Sequence, residues 1–200
     1  LSCQARIHGN VTMQVPASSR ASDMRVLLGG VTREFTVAPA VSKAVVSVSP
    51  QTLDEAYARL EHLRRCGDLR SDLKADLDLL RAMPDILPQE ETQVTAVMRG
   101  SHLIALEPGD TSDRCFGVAL DLGTTTVVAT LLDLITGKEL GFASNVNEQT
   151  AHGHDVIGRI NVTLEQADGL ELMRRAALDS LNDVIDGVCE KAGVSRDDVY

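Results

Sequence analysis

The stretch GVALDLGTTTVVATLLDL, residues 117–134, decides how this chain is read. The apolar run 116–121 reads as a buried strand, 126–134 as a second, and Thr136-Gly137-Lys138 as a turn into a third over 139–145. Three strands joined by tight turns make a meander. Between the first two stands Asp121, then Gly123, Thr124, Thr125 and Thr126, so a carboxylate, a close-approach glycine and a set of hydroxyls meet at one point. Such groups suit a phosphate with its metal. Asp121 can hold a hydrated Mg2+, a hard cation that keeps several waters; Gly123 lets the backbone come close; Thr124 and Thr125, with Thr126 beside them, offer donors to phosphate oxygens. No GxxxxGK followed by Ser or Thr occurs, so the pattern is not a P-loop. The alternative for the same residues is a plain hairpin whose Asp serves local N–H groups.

Downstream, a polar loop leads to a helix start at Asp155 and a long helix over about 168–192. Leu170, Met173, Ala177, Leu181, Val184, Ile185 and Val188 form its apolar stripe, and Gly193 closes it. Upstream, 43–48 is strand-like. Thr52 and Glu55 make a capping box ahead of a helix carrying Leu53, Ala56, Tyr57, Leu60 and Leu63 and stopped at Gly67. A second helix is expected from about Ser71 to Pro84 with Leu73, Leu77, Leu80 and Met83 on one side, then strands at 93–99 and 102–107. Residues 5–15 read as a hairpin around His8-Gly9-Asn10, and 17–41 as a connector. Leu1 with no basic segment after it, and a chain stopping behind a helix at Tyr200, read as an internal fragment.

Composition narrows the function classes. The 200 residues carry a net charge of -10, and only five basic and two acidic side chains fall within 1–48, so nearly all the negative charge lies beyond. An acidic bulk repels a phosphate backbone, and with no Trp, two Tyr and three Phe there is little to stack on bases; nucleic acid is not the expected partner. No run approaches the roughly 18–20 apolar residues of a membrane helix, so no membrane span is expected. Cys3, Cys66, Cys115 and Cys189 show no CxxC pair, which favours a reducing, cytoplasmic setting.

DLGTTT between apolar strands resembles the first phosphate motif of the superfamily of acetate and sugar kinases, heat-shock chaperones and actin, which implies a ribonuclease H-like domain binding ATP with Mg2+. GFASNVNEQTAHGHDVIGRIN, residues 141–161, is similar to the reductive activators of corrinoid proteins, with Asn147, Gln149, Gly153, Asp155, Val156, Ile157, Arg159 and Ile160 in the matching positions. LSCQARIHGNVTMQVPASSR at the start looks like the tail of a plant-type ferredoxin, with Cys3 where the fourth ligand of a 2Fe-2S cluster stands. Its three companions would lie upstream.

The resemblance implies a multi-domain chain of α+β and α/β class: a ferredoxin-like β-grasp remnant over 1–16, a linker over 17–41, a small α+β middle domain over 42–111, and the first part of a ribonuclease H-like ATPase over 115–200. It implies Asp121 as the catalytic and Mg2+-holding residue; Gly123, Thr124, Thr125 and Thr126 on ATP phosphates, with Asn147 and Gln149 beside them; Cys3 as cluster ligand; and a corrinoid protein as partner. The function implied is ATP-dependent passage of an electron from the cluster to Co(II), regenerating Co(I). A sugar or acyl kinase, or a non-catalytic docking module, are the competing readings, and the oligomeric state, a homodimer included, stays open.

Overall fold

The computed structural model describes residues 6, 8–12, 14, 36–50, 58–87 and 90–200. Two compact units, Leu1–Glu34 and Phe35–Tyr200, divide the chain. Cys3, most of the expected hairpin at 5–15, the connector over 17–35 and the capping box at Thr52 and Glu55 lie outside the described residues; around Gly9 the described backbone bends and forms no strand.

The described residues of the second unit are mixed α+β, with two sheets and four α-helices among them. The first sheet has the order β1-β3-β4-β2, from β1 (Val41–Val48), β2 (Lys74–Ala75), β3 (Thr92–Arg99) and β4 (His102–Pro108). β3 pairs antiparallel with both β1 and β4, while β2 runs parallel to β4. Alternation along β3 explains its burial on both faces. Val94, Ala96 and Met98 join a core with Val46, Val48, Leu63, Met83, Leu87 and Leu103, whereas Val97 faces the other way and packs with Val41 and Cys115. α1 (Arg59–Cys66) and α2 (Leu77–Ile86) supply the helical side of the first core. The buried His62 of α1 donates from Nε2 to the Ser49 carbonyl at 2.7 Å, pinning the helix to the exit of β1.

Three sequence expectations are corrected here. The second helix begins at Leu77 rather than Ser71, because Lys74 and Ala75 are drawn into extended pairing with His102 and Leu103. Pro84 lies inside α2 and does not stop it: so near the end its missing N–H costs one bond, and the Leu87 N–H still reaches Met83 O at 2.8 Å. The buried face is Leu79, Met83 and Ile86, an i, i+4, i+7 series, while Leu77 and Leu80 face out.

The second sheet is the expected meander, β5 (Phe116–Leu122), β6 (Thr126–Asp133) and β7 (Glu139–Val146), all antiparallel. α4 (Gly169–Ala192) lies across β6 and β7, burying Val184, Val188 and Cys189 against Val127, Ala129, Leu131 and Ala143. β5 corrects the expectation of a buried strand: Leu120 and Leu122 share the face that α4 covers, but the helix lies chiefly over β6 and β7 and leaves them 45% and 48% exposed. On α4, Leu170 is exposed, and Ala176 and Ser180 are buried in the stripe. Gly193 ends the helix at φ 66°, a left-handed value that suits glycine. The chain then returns beside β5, where Val199 bridges Phe116 in parallel and the Tyr200 N–H donates to Phe116 O at 2.9 Å. No helix among the described residues is long and apolar enough to cross a membrane.

The joint between the sheets carries a buried charge. Lys43, on β1, places Nζ 2.8 Å from Glu107 Oε2 and 3.3 Å from the Thr111 carbonyl, and 4.9 Å from the centre of the Tyr200 ring. An ammonium removed from water in this way needs such partners.

Candidate functional site: the turn between β5 and β6

Register fixes where the site residues stand. Asp121 pairs with Val128, which pairs with Ser144, and these occupy the face opposite the Leu120–Ala129–Ala143 row under α4. The Asp121 side chain is therefore on the face away from the helix, and it is exposed. Two residues on, the chain reverses through Gly123, Thr124 and Thr125 into Thr126. The Gly123 N–H donates to Thr126 O at 2.9 Å and closes the turn. A Cβ on Gly123 would lie 2.7 Å from that same oxygen, so any other residue would push the turn open. The sequence expectation of freely available backbone N–H groups needs one correction: that of Gly123 is committed. Those of Thr124 and Thr125, their hydroxyls, and the Asp121 carboxylate have no partner among the described residues.

The carbonyl side of the turn is held from behind. Asn147, wholly buried, donates from Nδ2 to Gly123 O at 2.8 Å, and its backbone N–H donates to Thr125 O at 2.8 Å. Its Oδ1 accepts from the Gln149 N–H at 3.0 Å, capping the 3-10 turn Glu148–Ala151. Gln149 Nε2 donates to the Met173 carbonyl of α4 at 2.9 Å, and the Glu148 N–H donates to Ser180 Oγ at 2.8 Å. Arg159, on α3 (Val156–Glu165), donates to the carbonyls of Thr124 and Gly153 and to Gln149 Oε1. Asp155 caps α3 through the Gly158 N–H at 2.7 Å.

The structure thus brings together Asp121, Gly123, Thr124, Thr125, Thr126, Asn147 and Gln149. It gives the last two a different position from the rest: their amides are spent on the backbone of the turn and on α4. Sequence reading did not single out Ser180, whose only signal is a hydroxyl on an apolar stripe, nor the Met173 carbonyl, which as main chain has none. His152 and His154 are exposed, and no group of three or more metal-ligating side chains occurs among the described residues.

Known proteins resemble this chain over most of its length. The family described as the RACo linker region matches residues 30–113, and the RACo middle region matches 116–200. The two meet between β4 and β5, and the chain belongs to the family of reductive activators of corrinoid proteins. The corrinoid activation enzyme RamQ of Eubacterium limosum is 34% identical over 105 residues, which are 52% of this chain and 18% of that protein. The solved structure of a reductive activator for a corrinoid, iron-sulfur protein superposes with a TM-score of 0.67 at 30% identity, covering 93% of this chain and 32% of that one. The chain therefore spans about a third or less of the length of these relatives.

Proposed function

We propose that this chain is the part of an ATP-dependent corrinoid reductive activator that presents the first phosphate-binding turn, in a protein that returns the cobalt of a corrinoid protein from Co(II) to Co(I). The observation that carries the reading is the divided use of the turn between β5 and β6. Its carbonyls are bound from behind by Asn147 and Arg159, while the N–H groups and hydroxyls of Thr124 and Thr125 and the Asp121 carboxylate are left for something outside the described residues. Unspent donors beside an unspent carboxylate fit a phosphate and its Mg2+. In this reading Thr124, Thr125 and Thr126 receive phosphate oxygens, Asp121 holds the metal through water, and Asn147 and Gln149 serve the ligand by fixing the turn. Bound Mg-ATP would supply the free energy that an uphill reduction requires, through a nucleotide-dependent preference for one conformation.

The names of the relatives support a corrinoid, iron-sulfur protein as partner. The proposal extends to a 2Fe-2S donor with Cys3 as one ligand, a tether over 17–41, the small α+β domain over 42–111 and a ribonuclease H-like fold from 115 onward. Asp121→Ala in the full-length protein tests the nucleotide reading: titration with Mg-ATP by calorimetry is expected to show at least about a tenfold loss of affinity, of the order expected for a lost charged contact. Undiminished Mg-ATP binding would remove Asp121 from the site.

A further inference from the structure

We infer that Arg159 is the positioning residue of the phosphate turn, tying the start of α3 and the 3-10 turn to it so that the three segments hold one geometry. Its planar fork spans three pieces of chain. Nε donates to Gly153 O at 3.0 Å, Nη1 to Gln149 Oε1 at 3.0 Å, and Nη2 to the Thr124 carbonyl. A second observation shows how closely these segments are bound: a Cβ on Gly153 would lie 2.7 Å from the Arg159 nitrogen, so the loop seats directly on the first turn of α3. Asp155 fixes the same turn from its N-terminal side.

The chemistry favours arginine at this place. Its three acceptors lie in different directions and only a rigid fork reaches them together, whereas an ammonium on a flexible stem is a point donor. All three acceptors are neutral, two main-chain carbonyls and an amide, so they leave the positive charge uncancelled beside Thr124. An anion at the turn would therefore meet both the unspent Thr124 N–H and this charge. Arg159 holds the carbonyl of the peptide unit whose N–H, that of Thr125, has no partner among the described residues, and withdrawing it would free that peptide to rotate. This inference rests on the nucleotide reading for its ligand, but not for its geometry.

The full-length protein carrying Arg159→Ala or Arg159→Lys tests it by two measurements. The first is hydrogen exchange without nucleotide at the N–H groups of Gly123 and Asn147, the two that close and brace the turn. The second is Mg-ATP affinity by calorimetry. In both variants exchange is expected to speed up about tenfold and affinity to fall about tenfold, as for the loss of one charge-assisted hydrogen bond. Guanidinium ion, at concentrations too low to denature, is expected to restore both values in Arg159→Ala, which a general loss of packing would not allow. Should Arg159→Ala fail to fold, Arg159→Lys carries the test alone. Wild-type exchange and affinity in Arg159→Lys would overturn the inference, since charge without the fork would then suffice. If the wild type binds no Mg-ATP while exchange still accelerates in the variants, the nucleotide reading falls and the positioning role stands.

Discussion

Asn147 shows at the scale of one residue how the site is paid for in hydrogen bonds. It is wholly buried, and each polar atom of its side chain has a protein partner: Nδ2 on Gly123 O and Gln149 Oε1, and Oδ1 on the Gln149 N–H. Removing the amide strands a carbonyl and an N–H, each worth about 1–3 kcal/mol when left unsatisfied inside a protein. Asn147→Ala is therefore expected to lower unfolding free energy by about 2–4 kcal/mol in urea titration, on the same scale. A loss below about 0.5 kcal/mol, the level of ordinary surface substitutions, would mean the latch is not formed. The residue types of this site were legible in sequence, because Asp-x-Gly-Thr-Thr-Thr between apolar runs is a local pattern. What Asn147 and Gln149 bind was not. Their partners include main-chain carbonyls of Gly123 and Met173, and a carbonyl leaves no trace in the residue type.

Among the elements, α3 is the one that depends most on its ends. Its ten residues include no buried position, and Val156, Ile157, Ile160 and Leu164 are all exposed, so packing does little to hold it. The Asp155 cap and Arg159 do more, and Gly169 allows a close approach, since a Cβ there would lie 2.2 Å from Val162 O. Asp155→Ala is expected to destabilise by about 1 kcal/mol, the usual value of an N-cap, and to fray the first turn of α3, read as faster amide exchange at Gly158. An unchanged exchange rate there would contradict the cap. α1 gives a pH test. Arg64 and then Arg65 hydrogen-bond the Glu61 carboxylate and lower its pKa from 4.5 to about 2. A folded pKa below the unfolded one means that the contribution is present above about pH 4.5 and fades as pH falls toward about 2. A carbon-detected titration of Glu61 should show that low midpoint, and a midpoint near 4.5 would mean that the cluster is not formed in solution. The meander and α4 were legible because their periods of two and 3.6 are written locally. The start of α2 was not, because Lys74 and Ala75 are held extended by β4, more than 25 residues further on.

For the whole molecule, two sheets share one joint. Val41 and Val97 of the first pack with Cys115 at the entry to the second, and Lys43 and Glu107 form an ion pair beside them. The four-stranded sheet thus meets the second at the residue just before β5, the strand that carries Asp121. The role proposed for this arrangement is ATP-dependent reduction of a corrinoid cobalt. The most direct measurement is the absorbance of the corrinoid partner under anaerobic reductant, mixed with the full-length protein, with and without Mg-ATP. The Co(I) spectrum is expected to grow in only when nucleotide is present and to fail to do so with Asp121→Ala. Equal formation of Co(I) without nucleotide, or full activity of Asp121→Ala, would contradict it.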